Sequence, residues 1–245
     1  MNRTVLVIGA SGGIGEQVTR QLLEQGYFVI GTYSNHSISI TDADNFKTLK
    51  LDLSSLDSIK ELFDNLSQTP LYAIVNCAGV CEYENNGIDD DISVWNRAIA
   101  VNLTANFVIA KYANHLLEDN GRFIMISSTD AMYGGAITAS YAASKAGVNS
   151  LTKSLSLLFK DKKISVNSVA PGWVNTRMIA GTGEEFLRQV EDVNPLKRIA
   201  NPADIANVIS FLLKPESEYI NGQIITVDGG YTNQDPTLIL EEEAV

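Results

Sequence analysis

The sequence predicts a single-domain α/β protein: one doubly wound sheet of about seven parallel strands with helices on both faces. Three observations predict it. Short apolar, β-branched runs alternate with segments of helical periodicity along all 245 residues. A glycine-rich turn follows the first run directly, and no repeat, low-complexity tract or Pro/Gly/Ser linker marks a domain boundary.

In chain order, strands are expected at residues 4–8, 28–33, 47–51, 73–76, 122–127, 165–170 and 223–227. Runs such as Val5-Leu6-Val7-Ile8 and Phe123-Ile124-Met125-Ile126 are apolar at successive positions, as strands buried on both faces require. Helices are expected at 14–25, 56–66, 94–117, 139–159 and 203–213, and the stretch 173–195 reads as irregular. Right-handed crossovers then place helices over both faces of the sheet. The catalytic domain is expected to span residues 1–231, followed by an acidic tail, 232–245, suited to a mobile end or a clamp on another subunit.

With 45% hydrophobic and 19% charged residues the composition excludes wholesale disorder. The net charge of −11 repels phosphate polymers and anionic lipid, so neither nucleic acid nor a membrane surface is an expected partner. The start Met1-Asn2-Arg3-Thr4 passes straight into an apolar run too short for a signal peptide, and no segment reaches membrane-span length. A cytoplasmic location is the expectation. Cys77 and Cys81 are too few for a disulfide framework or a four-ligand zinc site and are expected to be reduced and structural; His36 and His115 lack partners at ligand spacing, so no metal is expected.

The turn Gly9-Ala10-Ser11-Gly12-Gly13-Ile14-Gly15 lies between the first strand and the first helix. There, backbone amides can approach a pyrophosphate, and the positive end of the helix dipole stabilises it. The position makes the turn a dinucleotide site of Rossmann type. Its spacing, Gly-x-x-x-Gly-x-Gly, differs from the commoner Gly-x-Gly-x-x-Gly. Further features follow in order: Asp52, Asn76-Cys77-Ala78-Gly79, Asn102, Ser128, Tyr141 with Lys145, and Pro171-Gly172 followed by Thr176.

On these residues the chain resembles the short-chain dehydrogenase/reductases over nearly its full length, and among them the 3-oxoacyl-(acyl-carrier-protein) reductases. The resemblance implies that Asp52 and Leu53 contact the adenine, that Asn76, Ala78 and Gly79 line the cofactor, and that Thr176 with Pro171, Gly172 and Val174 holds the carboxamide side. It also implies that Asn102 kinks its helix and holds a water linking Lys145 to solvent, that Lys145 contacts the ribose, and that four copies pack through the helices carrying Asn102 and Tyr141. A stripe of Val148, Leu151, Leu155 and Leu158 permits such a homotetramer.

Tyr141 and Lys145, four apart, share one helical face with small residues between them. A phenol with a reference pKa of about 10 is a proton reservoir, and a neighbouring ammonium is expected to lower it toward the working range. In reduction Tyr141 protonates the carbonyl oxygen; in oxidation its phenolate takes the alcohol proton. Ser127 and Ser128 both end the fifth strand, and periodicity does not choose between them. The thirteen-residue interval to Tyr141, compared with the family, selects Ser128 to polarise the carbonyl. Asn102 inside a predicted helix is out of keeping with asparagine's propensity.

The second strand ends Tyr33-Ser34-Asn35 without the acid that would hold a free ribose 2′-hydroxyl, which favours NADP(H) over NAD(H), with Ser34 and Asn35 as donors. Gly12 stands where many NADP-preferring relatives carry a basic residue. The expected reaction is reduction of a 3-oxoacyl thioester, with a dehydrogenase or reductase of a free small alcohol, sugar or secondary metabolite as the alternative and an inactive nucleotide-binding scaffold as a minor one. Docking of an acidic acyl-carrier protein is handicapped by the overall charge and by Asp119 at one docking position, although Lys162 remains at another. The acidic run from Glu82 to Asp91, with Glu84, Asp89 and Asp90, reads as a solvated face.

Overall fold

The computed structural model describes residues 3–40, 44–84, 86–89 and 91–233. Residues 234–245 of the expected tail and Asp90 of the acidic run lie outside the described residues. Strands β1 (Thr4–Ile8), β2 (Phe28–Tyr33), β3 (Phe46–Lys50), β4 (Leu71–Asn76), β5 (Leu117–Ile126), β6 (Ser165–Pro171) and β7 (Ile224–Val227) form one sheet in the order β3-β2-β1-β4-β5-β6-β7. Every neighbouring pair is parallel. Helices α1 (Gly13–Glu24), α2 (Leu56–Asn65), α3 (Ile92–Ala98), α4 (Ala105–Ala113), α5 (Asp130–Tyr133), α6 (Ala139–Leu158), α7 (Glu184–Val193) and α8 (Pro202–Leu212) complete the fold. This is the doubly wound α/β architecture that the alternation predicts.

Strand geometry explains the apolar runs. On β1, Leu6 and Ile8 join a core with Ile59 and Phe63 of α2, Ile109 of α4 and Val148 of α6, whereas Val5 and Val7 face Val18 and Leu22 of α1 and Ile205 and Ile209 of α8. Alternate side chains therefore fill two cores, one on each face. Each large aliphatic side chain so buried contributes about 1.5–3 kcal/mol. The chain reverses its direction of travel across the sheet between β1 and β4, which opens a crevice beyond their carboxyl ends.

Local chemistry sets the helix ends. Ser55 caps α2 through the Ser58 amide at 3.1 Å. Asn201 and Asp204 form a reciprocal capping box on α8, with Pro202 in its first turn. At α1 the N-cap is Gly12, whose lack of a side chain leaves the first-turn amides without a side-chain cap.

The structure departs from the sequence expectation in four places. The helix expected over 94–117 is three pieces: α3, a π-helical turn at Ile99–Thr104, and α4 ending at Ala113. An inserted residue in the i→i+4 ladder is what a π turn is, and hydropathy does not register it. Beyond α4 the chain enters β5 at Leu117, five residues before the expected start, because Leu117 pairs with Leu71 across an irregular register before regular pairing resumes at Arg122. The stretch expected to be irregular contains α7, where Phe186 packs edge-on against Trp173 with centroids 5.5 Å apart. The short helix α5, directly after Ser128, was not anticipated. Elsewhere, boundaries move by one or two residues.

Candidate active site

A cleft of about 900 Å³ opens above the carboxyl ends of the strands and is lined from the glycine turn to Tyr141 and Lys145. At its floor Gly9 adopts φ +79°, and its amide donates to the Thr32 hydroxyl at 3.2 Å. A β-carbon on Gly9 would stand 2.9 Å from the backbone of Ala78, and one on Gly15 would stand 2.2 Å from the Gly9 carbonyl. The turn is therefore closed on itself and on the loop after β4, leaving a side-chain-free cradle beside Ser11, Gly12, Gly13 and Ile14. A dinucleotide pyrophosphate fits that cradle chemically, since backbone amides and the α1 dipole face it. Arg177, which sequence reasoning did not single out, donates to the Ser11 carbonyl and lines the same cleft.

Toward the expected adenine end, Ser34, Asn35, Asp52 and Leu53 all line the cleft, with His36 among them. Asp52 accepts from the Ser54 amide at 2.9 Å and the Ser54 hydroxyl at 2.6 Å, and these bonds hold its carboxyl below the usual carboxylate range. Asn76 accepts from the Ala78 amide at 3.1 Å and donates to Asn106 at 2.9 Å, which shapes the loop through Ala78 and Gly79. On the opposite wall lie Pro171, Gly172, Val174 and Thr176, the last accepting from the Met178 amide at 3.3 Å.

Ser127 and Ser128 part company. Both line the cleft, but Ser127 spends its hydroxyl on Asn149 at 2.6 Å, whereas Ser128 hydrogen-bonds the Tyr141 phenol and accepts from the Asp130 amide at 3.1 Å. Lys145 is buried and donates from Nζ to the Ile126 carbonyl at 2.8 Å, with the Tyr141 ring centroid 5.5 Å away.

One electrostatic expectation is corrected. Burial pushes the Tyr141 phenol up from its ordinary value, and the Ser128 hydrogen bond offsets only part of this. The ammonium is committed to a backbone carbonyl rather than to the phenol oxygen, and desolvation outweighs it. The resting phenol is thus firmly protonated, the form a carbonyl reduction needs.

Lys145 itself is pulled down to about 8 by burial. An unfolded lysine titrates at about 10.4, so between those two values the unfolded chain binds more protons and stability rises with pH. Below pH 8 the charged, desolvated ammonium weighs fully against folding. Lys145→Met is expected to abolish turnover yet raise stability at pH 7 by on the order of 2 kcal/mol in urea denaturation, an advantage that shrinks as pH passes 8. An unchanged or lower midpoint at pH 7 would mean that the Ile126 hydrogen bond outweighs the cost of burial.

Asn102 sits fully buried within the π turn. Its side chain accepts from the Val80 amide at 2.9 Å and donates to the Val80 carbonyl at 2.8 Å and the Ser144 hydroxyl at 3.0 Å. The residue ties the loop after β4 to α6, and its own carbonyl accepts from Asn106 at 2.7 Å.

Glu84 was read as part of a solvated acidic run, and the structure corrects this. Its buried carboxylate accepts from the Ala139 amide at 2.6 Å and the Ser140 amide at 2.8 Å. It caps the helix that carries Tyr141, where Thr138 provides no side-chain cap. A carboxylate next in space to a helix start 55 residues further along leaves no local trace in the sequence. Cys77 and Cys81 are free and both line the cleft; burial pushes their thiols up to about 12 and about 11, so both stay protonated at neutral pH. Lys162 spends its ammonium on the carbonyls of Asn114 and Leu117 at 2.8 and 2.7 Å.

Comparison with known proteins agrees with this geometry. Residues 9–232 match a family model described as enoyl-(acyl carrier protein) reductase. The chain is 31% identical over 240 residues to a cis-4-hydroxycyclohexanecarboxylate dehydrogenase of Sinomonas cyclohexanicum, covering 94% of this chain and 96% of that protein. It is 33% identical over 234 residues to the 3-oxoacyl-(acyl-carrier-protein) reductase FabG of Rickettsia felis, covering 93% and 96%. A solved short chain dehydrogenase family protein from Francisella tularensis superposes with a TM-score of 0.88 at 28% identity, covering 96% of this chain and all (100%) of that one. With the match running from the glycine turn past β7, the chain belongs to the short-chain dehydrogenase/reductase family and is an oxidoreductase of alcohol or carbonyl substrates.

Proposed function

We propose that the protein interconverts a small free carbonyl compound and its secondary alcohol, with Tyr141 as the proton carrier. The observation that carries this reading is the hydrogen-bonded pair of Ser128 and Tyr141 at one end of a cleft whose other end is the glycine cradle. A nicotinamide dinucleotide bound there supplies or accepts the hydride. Tyr141 gives its phenol proton to the carbonyl oxygen while Ser128 donates a hydrogen bond to the same oxygen. Lys145 stabilises the phenolate that remains and contacts the ribose. The water relay through Asn102 would use a second lone pair of its backbone carbonyl or of its side-chain oxygen, each of which already accepts one hydrogen bond, while both side-chain N–H groups are engaged. NADP(H) is favoured over NAD(H), because no acid stands among Ser34, Asn35 and His36 to repel a 2′-phosphate.

The thioester reading is second, favoured by the similarity to the carrier-protein reductase of Rickettsia felis. Against a carrier partner stand Asp119, exposed near the start of β5, and Lys162, whose charge is bound to two carbonyls. The test is calorimetric binding of NADH and NADPH, followed by a panel of free ketones and acetoacetyl thioester monitored through oxidation of the preferred cofactor. Turnover of a free ketone with the higher kcat/KM supports the first reading, and preference for the thioester transfers the assignment to the second. A homotetramer is proposed as the working form: Val148 and Leu155 of the α6 stripe belong to the core, but Leu158 is 68% exposed and Leu157 72%. Light scattering that returns a monomer would remove that assembly.

A further inference from the structure

The geometry points to Asp130 as a substrate-selecting residue, whose carboxylate accepts a hydrogen bond from a hydroxyl group carried near the reacting carbonyl carbon. This rests on the free-carbonyl reading above and names its substrate class: hydroxylated ketones and the polyols they become.

Among the described residues three acids line the cleft, and two are already satisfied. Asp52 holds Ser54, and Glu82 pairs with Arg97 at 2.9 Å. Asp130 is left. It opens α5 two residues after Ser128, and its amide donates to the Ser128 hydroxyl, which fixes its backbone beside the catalytic pair. Among the described residues none donates a hydrogen bond to its carboxylate and none pairs with it. The cations of the cleft are likewise committed: Arg97 to Glu82, Lys145 to Ile126 and Arg177 to Ser11.

A half-buried carboxylate without a donor is unfavourable, and burial pushes the Asp130 carboxyl up accordingly. Its charge is felt at both Tyr141 and Cys81, which places it at the substrate end rather than at the cofactor end. An ionised carboxylate can only accept, so the group that satisfies it must donate. A hydroxyl does so. An apolar acyl chain leaves the carboxylate desolvated and unpaired, and a carboxylate or phosphate on the substrate is repelled by it. Sites built to hold a substrate hydroxyl reject analogues that lack one far more strongly than hydrophobic pockets reject a methylene.

The test uses the cofactor-saturated enzyme with hydroxyacetone and acetone as a matched pair, for the wild type, Asp130→Asn and Asp130→Val. Comparing ratios between variants cancels the different intrinsic reactivity of the two ketones. The ratio of kcat/KM for hydroxyacetone over acetone is expected to fall about tenfold or more in Asp130→Val, with a smaller fall in Asp130→Asn. A ratio unchanged within about twofold, or equal losses for both ketones, overturns the role of Asp130 while leaving the free-carbonyl reading in place. Preference of the wild type for acetoacetyl thioester over both ketones overturns the free-carbonyl reading whatever the ratio does. Failure of the wild type to reduce either ketone overturns both.

Discussion

Tyr141→Phe is expected to lower kcat by about 10³-fold while leaving the dissociation constant of the nicotinamide cofactor within about threefold. The substitution keeps the ring and its packing on α6 and removes only the oxygen that hydrogen-bonds Ser128. The Ser128 hydroxyl is far too weak an acid to replace it. Steady-state kinetics with calorimetric cofactor titration checks this. Retained turnover would take the phenol out of the mechanism and shift attention to water. Because burial holds the phenol protonated, reduction is expected to proceed without loss from neutral pH downward as far as the fold survives, whereas alcohol oxidation should accelerate as pH rises.

Gly15→Ala is expected to abolish measurable cofactor binding and to destabilise the fold by roughly 2–4 kcal/mol, the range for overpacking and backbone strain at a closed site. The added methyl would sit 2.2 Å from the Gly9 carbonyl, which is backbone and has no rotamer to yield. Gly9 in turn is held at φ +79° with Ala78 against it, so displacing its carbonyl opens the contact between the first and fourth strand loops. Gly12→Ala is the control. Its nearest neighbour would be the Gly9 carbonyl at 3.4 Å, and its backbone is extended at φ −86°, so its unfolding midpoint should stay close to that of the unsubstituted chain. Urea melts of the two variants, with calorimetry for Gly15→Ala, separate a requirement for this particular glycine from a general dislike of side chains in the turn. Equal behaviour of the two would refute the steric account.

The difference between these glycines shows where sequence reading stops. The sequence places four glycines in one turn and makes all of them candidates for phosphate contact. Only the folded geometry ranks them, since an added β-carbon would meet Ala78 from Gly9, Thr176 from Gly13 and the Gly9 carbonyl from Gly15, and would be nearly free at Gly12. The serine pair behaves in the same way: both stand at the end of one strand and line the cleft, and Asn149 on α6 takes the Ser127 hydroxyl while Ser128 is left to Tyr141.

The sequence by itself determined the α/β class, the parallel sheet, the glycine turn and the pairing of Tyr141 with Lys145. It could do so because burial on two sheet faces, helical spacing and strand-to-helix turns impose short-range patterns of hydropathy and residue type. What only the tertiary structure decided are the relations between segments brought together by the crossovers. These are the π turn that buries Asn102 against Val80 and Ser144, the capping of α6 by Glu84, the commitment of Lys145 to the Ile126 carbonyl, and the Asp130 carboxylate left without a donor in the cleft. Each depends on which polar groups meet once water is excluded. Hydrogen bonds and desolvation act through space, so residues distant in the chain carry no mark of them until the sheet closes.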